Sequence, residues 1–237
     1  MALLRVSDDI FRVFPEVLIG VVAFAGVRNG SESVGPLAMR RVEEERAAAA
    51  IAGVSIPDHP RIACWRAAYR LFGAKPKDHP SSIENLVRRA VKGQRLSSIN
   101  PLVDLYNAIS LKHLVPIGGE DLDKVDGDVE LAFATDAEPA VRLLGEPEAR
   151  PPKPGEVIYR DRAGALCRRW NWKEADRTKL TEETTRGFLV VEALPPVGKG
   201  DIKAVLGELA SLLQAHCGGR TRTSILDRET REVVLTP

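Results

Sequence analysis

The stretch Gln94–Glu130, QRLSSINPLVDLYNAISLKHLVPIGGEDLDKVDGDVE, governs how the rest of the chain is read. Asn100 followed by Pro101 marks a helix start. An asparagine N-cap satisfies early backbone N–H groups, and proline at the first helical position gives up an N–H that has no partner there anyway. Leu102, Leu105 and Ile109 follow on an apolar face, with Val103 and Tyr106 alongside. Asn100, Asp104 and Asn107 share another face, because i, i+4 and i+7 fall together on a 3.6-residue helix. Pro116-Ile117-Gly118-Gly119 reads as a turn, and the acidic Asp121–Lys124 leads toward a strand over Gly127–Thr135. Two readings fit the polar stripe. It is the solvated side of an amphipathic helix, with Asn100 and Asp104 bracing their own turn. Or it is a recognition face at a pocket edge, where Gly118 and Gly119 let a ligand approach backbone N–H groups.

Toward the N-terminus, residues 1–16 read as a lead-in segment and Val17–Gly26 as a buried strand ended by the turn Arg28–Ser31. Helices are expected over Pro36–Ala52 and Ile62–Phe72, closed by Gly53 and Gly73. Trp65 and Tyr69 lie with Ile62 on one apolar stripe, so they read as core. Ser81 and Glu84 form a capping box that opens a third helix ending at Gly93. Toward the C-terminus, Pro139–Arg150 reads as a strand and turn. Glu156–Asp161 and Ala165–Trp170 form a hairpin, and Phe188–Leu194 is a strand with Glu192 as its one ionisable residue. Asp201–Cys217 is an amphipathic helix, and Thr221–Leu226 with Arg231–Leu235 closes the chain as a hairpin. Short strands interspersed with helices predict an α+β fold, with mixed or antiparallel sheets and surrounding helices.

Composition narrows the function. Hydrophobic residues make up 44% of the 237, charged residues 28%, and the net charge is +1, which is ordinary for a soluble globular protein. The apolar run Val17–Val27 is too short to span a bilayer, and no signal-peptide pattern opens the chain, so a cytoplasmic protein without a membrane partner is expected. Three scattered cysteines, with no C-x-x-C pair, fit a reducing compartment, and the four histidines lack zinc spacing, so no metal is expected. The charge is unevenly placed. Between Arg61 and Arg95 nine Lys or Arg face two acids, whereas Glu120–Glu130 holds six acids against Lys124. Arg88, Arg89, Lys92 and Arg95 at the end of the third helix are a candidate phosphate footprint, or a solvated helix face favourable to its dipole. Trp170-Asn171-Trp172 beside Arg168 and Arg169 is either strand-end packing or a platform that stacks an aromatic ligand. Dinucleotide, P-loop and nucleophile-elbow motifs are missing, and no nucleophile–base pair stands out; His113 reads as a helix C-terminal histidine.

SINPLVDLYN followed by PIGGEDLDK resembles a motif of the B3/B4 domain of the phenylalanyl-tRNA synthetase beta subunit, roughly N-x-V-V-D-x-T-N and then P-L-H-A-F-D-L-D-K. VIYRDRAGALCRRW and TEETTRGFLVVEAL resemble the second half of that domain. The resemblance covers about residues 60–195 and runs across Pro151–Gly155, which is therefore read as an internal loop of one B3/B4-like unit spanning 1–237. It implies an RNA partner, the aminoacylated 3′ end of tRNA, and hydrolysis of the ester of a wrongly attached amino acid. Neither DNA nor a cofactor is implied. Because that ester is already activated, a held water and positioned donors suffice. The resemblance makes Asn107 and Glu192 catalytic, Glu192 falling on the glutamate that reads the side chain to be removed. Asn100, Asp104, Tyr106, Gly118, Gly119, Trp170, Asn171 and Trp172 become substrate-binding. Two positions depart from the family pattern. Gly118 stands for its histidine and Tyr106 for its threonine, so a different, smaller amino acid is expected. The alternative is a non-catalytic tRNA- or amino-acid-binding module of the same fold.

Overall fold

Aliphatic and β-branched residues fill Leu18–Ala25 and Arg186–Ala193, and the two segments pair antiparallel along their whole length. The computed structural model describes residues 2–237. In chain order the elements are β1 (Leu3–Val6), α1 (Asp8–Val13), β2 (Leu18–Ala25), α2 (Val34–Ala50), α3 (Pro60–Leu71), α4 (Ser82–Val91) and α5 (Pro101–His113). Then follow β3 (Ile117–Asp121), β4 (Val129–Phe133), β5 (Val141–Arg142), β6 (Ala149–Arg150), β7 (Val157–Asp161), β8 (Gly164–Arg168) and β9 (Lys173–Glu174). The chain ends with β10 (Arg186–Ala193), α6 (Lys199–Cys217), β11 (Arg220–Leu226) and β12 (Glu232–Val234). The fold is α+β. One sheet runs β12-β1-β4-β7-β8-β9, the other β11-β2-β10-β3, and β5 and β6 form a small ribbon. Every pairing is antiparallel except β1 with β4.

Three expectations are corrected. Residues 1–16 do not simply lead in. β1 lies inside the larger sheet between β12 and β4, with Leu4 fully buried. Ile117-Gly118-Gly119 is not a turn but the start of β3, because β10 offers a full partner edge and its ladder outweighs the turn preference of two glycines. The last two strands are not a hairpin. β11 pairs with β2 and β12 with β1, so the chain crosses between sheets at Asp227, whose Oδ1 accepts the Glu229 and Thr230 N–H groups.

The central helix is hemmed in on most sides. Ten of its 13 residues are buried, and it packs against α2, α6 and β3. Its start is capped twice. Asn100 Oδ1 accepts the Val103 N–H at 3.0 Å, and Asn29 Oδ1 accepts the Leu102 N–H at 2.9 Å. Strand parity then divides the core. On β10, Leu189, Val191 and Ala193 join the cluster with α5 and α6, while Phe188 and Val190 join the cluster between the sheets. Glu192 shares the parity of Phe188 and Val190 and is thereby drawn into the space between the sheets.

Candidate functional site

That space holds a cavity of about 220 Å³. One wall is the inner face of β10 and β3, with Phe188, Val190 and Glu192 beside Gly118 and Glu120. The cross-strand pairs Val190–Gly118 and Phe188–Glu120 put these residues on one face. The opposite wall comes from Tyr159 on β7, Leu166 and Cys167 on β8, the loop Trp170–Trp172, and Glu174 on β9. Tyr106 and Asn107 of α5, with Ser82, Asn85 and Leu86 from the first turn of α4, complete the lining.

A hydrogen-bonded chain of four side chains crosses the back of the cavity. Tyr69 Oη donates to Asn171 Oδ1 at 2.9 Å, Asn171 Nδ2 donates to Glu192 Oε2 at 2.7 Å, and Tyr159 Oη donates to Glu192 Oε1 at 2.8 Å. All four are buried, and burial pushes the Glu192 carboxyl up to about 7, against these donors. Tyr159 is pushed well above the usual phenol range, first by burial and then by the Glu192 charge. The loop that aims Asn171 is wound through two left-handed residues, Arg169 and Trp170, with φ of 48° and 65°. Such conformations cost a non-glycine residue energy and persist only where surroundings hold them. Here Trp170 N donates to Val157 O at 2.6 Å, and Glu156 grips Arg168 at 2.8 Å and Arg169 at 3.1 Å.

Eight of the sequence-predicted residues thus meet at one cavity: Asn107, Glu192, Tyr106, Gly118, Gly119, Trp170, Asn171 and Trp172. Their parts differ from expectation. Trp170 is fully buried, edge-on to Phe14 at 4.8 Å and to Trp65 at 5.1 Å, so it is not an open stacking platform. Trp172 already carries the Arg169 guanidinium over its ring at 4.4 Å. Gly119 admits a neighbouring strand rather than a ligand. A Cβ there would sit 2.3 Å from Leu189 Cδ2 and 2.9 Å from Phe188 O. A Cβ on Gly118 would instead point at Glu174, 3.0 Å from its Oε1. Tyr106 is among the residues that line the cavity.

Asn100 and Asp104 lie outside the lining. Asn100 is consumed by its cap and by donation to Leu180 O at 3.3 Å. Asp104 is fully buried and takes Arg40 Nη1 at 2.5 Å, Ser33 Oγ at 2.6 Å and Ser98 Oγ at 2.5 Å. Both readings of the polar stripe were therefore incomplete: it faces neither water nor, apart from Asn107, a pocket. Burial won because Arg40 and two hydroxyls satisfy the aspartate. The basic stretch is partly neutralised. Arg88 and Arg66 both pair with Glu84, at 2.6 and 2.7 Å, and Ser81 Oγ caps the helix by accepting the Glu84 N–H at 3.4 Å. Arg95 reaches Glu45 at 3.7 Å on the surface. Arg89 and Lys92 make no ion pair among the described residues, and Arg89 Nε is buried without a hydrogen bond.

The residues missed were Glu120, Glu174, Tyr159 and Tyr69. Glu120 looked like one member of an acidic run, and Glu174 sits in a two-residue strand with no periodic signal. Burial raises both carboxyls, Glu120 well above the usual range and Glu174 to about 7, with Glu174 adding to the shift on Glu120. No cluster of three His, Cys, Asp or Glu suited to a metal exists among the described residues. No helix among them is long and apolar enough to cross a membrane.

A family model described as the B3/4 domain matches residues 64–218, extending through α6. The chain is also similar in structure to an N-terminal fragment of the phenylalanyl-tRNA synthetase beta-subunit from Pyrococcus horikoshii, with a TM-score of 0.50 and 14% sequence identity. That likeness covers 92% of this chain and 50% of the other, so the chain spans about half the fragment's length. At such identity it speaks for the fold alone. No curated protein matches the sequence.

Proposed function

This chain belongs to the B3/4 domain family, and from that premise we propose that it binds the aminoacylated end of tRNA and hydrolyses the ester of a wrongly attached amino acid. The observation carrying this reading is the meeting of Asn107, Asn171 and Glu192, from three distant segments, at one cavity. Asn107 lines it with a side-chain amide that makes no hydrogen bond among the described residues, leaving its N–H free for a water or an ester oxygen. Glu192, held by two donors and with a carboxyl near neutrality, suits a proton acceptor or a group that reads the amino acid. In the reaction water adds to the ester carbonyl and the bond to the ribose oxygen breaks. The amino acid leaves with its carboxyl restored, and the proton taken from water passes to the ribose hydroxyl.

The RNA reaches the cavity along α4. Its first turn lines the cavity with Ser82 and Asn85, and Lys92 lies about 10 Å further along the axis at 1.5 Å per residue. Arg89 and Lys92, with Arg95 beyond the helix, are then placed for phosphates upstream of the bound 3′ end, while Arg88 is occupied with Glu84. The test is a deacylation screen over correctly and incorrectly charged tRNAs, with and without a chelator. Chelator-resistant loss of one mischarged ester, abolished in Asn107→Ala and Glu192→Ala with tRNA binding intact, is the expected result. If both variants hydrolyse like the parent, the assignment of the pocket is wrong. Salt-dependent tRNA binding without any ester loss would establish a binding module instead.

A further inference from the structure

Three glutamates line the cavity, and they are not equivalently satisfied. Glu192 has two donors. Among the described residues the Glu174 carboxyl accepts only the Gly119 N–H at 3.4 Å, a long contact. Glu120 is 6% exposed, and its Oε2 has no hydrogen-bond partner among the described residues. A buried carboxyl oxygen without a donor costs roughly 1–3 kcal/mol, which a ligand donor placed against it would recover. The cations around the pair are committed elsewhere. Arg177 makes two bonds to Asp161, at 2.8 and 3.0 Å, and Lys173 pairs with Glu146. Glu174 and Asp161 oppose the ionisation of Glu120, whereas the Thr178 hydroxyl and the Arg177 charge favour it. Gly118 matters here too. With no side chain on β3, the Glu174 carboxyl fills the space beside it. Tyr106 and Phe188 supply aromatic surface in the same lining, which suits a cation.

We propose that Glu120 and Glu174 form a receptor for an ammonium group of the bound amino acid, either its α-ammonium or an ammonium on its side chain. This rests on reading the cavity as the amino-acid site. Burial and the neighbouring Glu174 carboxyl both disfavour the charged form of Glu120. A ligand ammonium donates to the unpartnered Glu120 oxygen and turns that repulsion into a charge-assisted contact.

The test is calorimetric titration at neutral pH of the full chain with three small amides: L-alaninamide, Nα-acetyl-L-lysinamide and Nα-acetyl-L-alaninamide. The first carries only an α-ammonium, the second only a side-chain ammonium, the third neither. The expected result is that one of the first two binds at least about tenfold more tightly than the third, as a charge-assisted bond implies. Which one does so names the source of the ammonium. Glu120→Gln should erase the preference while keeping the fold, checked by circular dichroism, because the amide matches the carboxyl in size and cannot carry its negative charge. Glu174→Gln serves as the second variant and should weaken the preference in the same sense. Equal affinity for all three amides, no binding of any, or an unchanged preference in both variants would overturn the receptor. The deacylation screen reads separately. Hydrolysis of a mischarged tRNA at the parental rate by Glu120→Gln would leave the esterase reading standing while the receptor falls.

Discussion

Glu192 is buried among Tyr159, Asn171 and apolar strand neighbours, and burial raises its carboxyl from the ordinary 4.5 to about 7. Glu174 is raised to about 7 as well, and Glu120 is raised well above its ordinary value. Between those limits the folded chain holds protons that the unfolded chain releases. Their contribution to stability is therefore full below about pH 4.5 and is lost as pH rises through 7. Urea unfolding at a series of pH values should show stability falling across this window. In Glu192→Gln the fall should be shallower by up to about 1.4 kcal/mol per pH unit, the value of one titrating group; an unchanged slope would mean that Glu192 is ionised throughout. A second residue-scale effect concerns Gly119. Its Cβ would meet the Phe188 carbonyl and Leu189 across the β3–β10 ladder, so Gly119→Ala should destabilise by roughly 1–3 kcal/mol, measured by denaturant midpoint. At this scale the sequence revealed the unusual residues, Glu192 in an apolar strand and an Asn between two Trp. It did not reveal Tyr159, Glu120 or Glu174, because each is made functional by a neighbour more than ten residues away.

The helix α5 shows what an element contributes. Its caps were legible from Asn100-Pro101, since capping is local chemistry, and the helix begins where that dipeptide says. Its surroundings were not legible, because periodicity cannot say what covers a polar stripe. The cover is Arg40 of α2, fully buried, which bonds Asp104 and also the Leu96 and Ser97 carbonyls at 2.7 and 3.2 Å. This ion pair fixes the rotation of α5, and through it the direction of Asn107, one turn beyond Asp104. Arg40→Leu should cost roughly 3–5 kcal/mol in urea unfolding, because the aspartate is left charged and buried. Arg40→Leu combined with Asp104→Leu should recover a large part of that loss, since an apolar pair of similar volume carries no desolvation penalty. If the double variant is as unstable as the single one, the role of Asp104 is not ionic bracing. The same limit of local signals hid β3, whose two glycines read as a turn until β10 was placed beside them.

Over the whole molecule the chain alternates between two sheets, and the cavity lies where their inner faces part. The α+β class was legible from the mixture of elements. The crossing at Asp227 was not, since two short strands around a turn look like a hairpin unless both partner edges are known. This architecture separates two kinds of binding. The cavity lies between strand faces, whereas Lys92 and Arg95 are exposed beyond it at the end of α4. The separation predicts independent responses. Reversing charge with Lys92→Glu and Arg95→Glu should weaken tRNA binding and flatten its dependence on salt, each lost phosphate contact lowering the slope by about one. The same variant should bind the small amides like the parent, because neither residue lines the cavity. Arg95 also loses its Glu45 partner, but a surface pair is worth at most about 1 kcal/mol, so the fold should survive. Filter binding across a salt series, beside calorimetry with the amides, checks both halves. A loss of amide binding would mean that the two sites are coupled through α4. An unchanged salt slope would remove this helix from the path of the RNA and leave Lys75, Lys77 and Arg70 as the cations to test next.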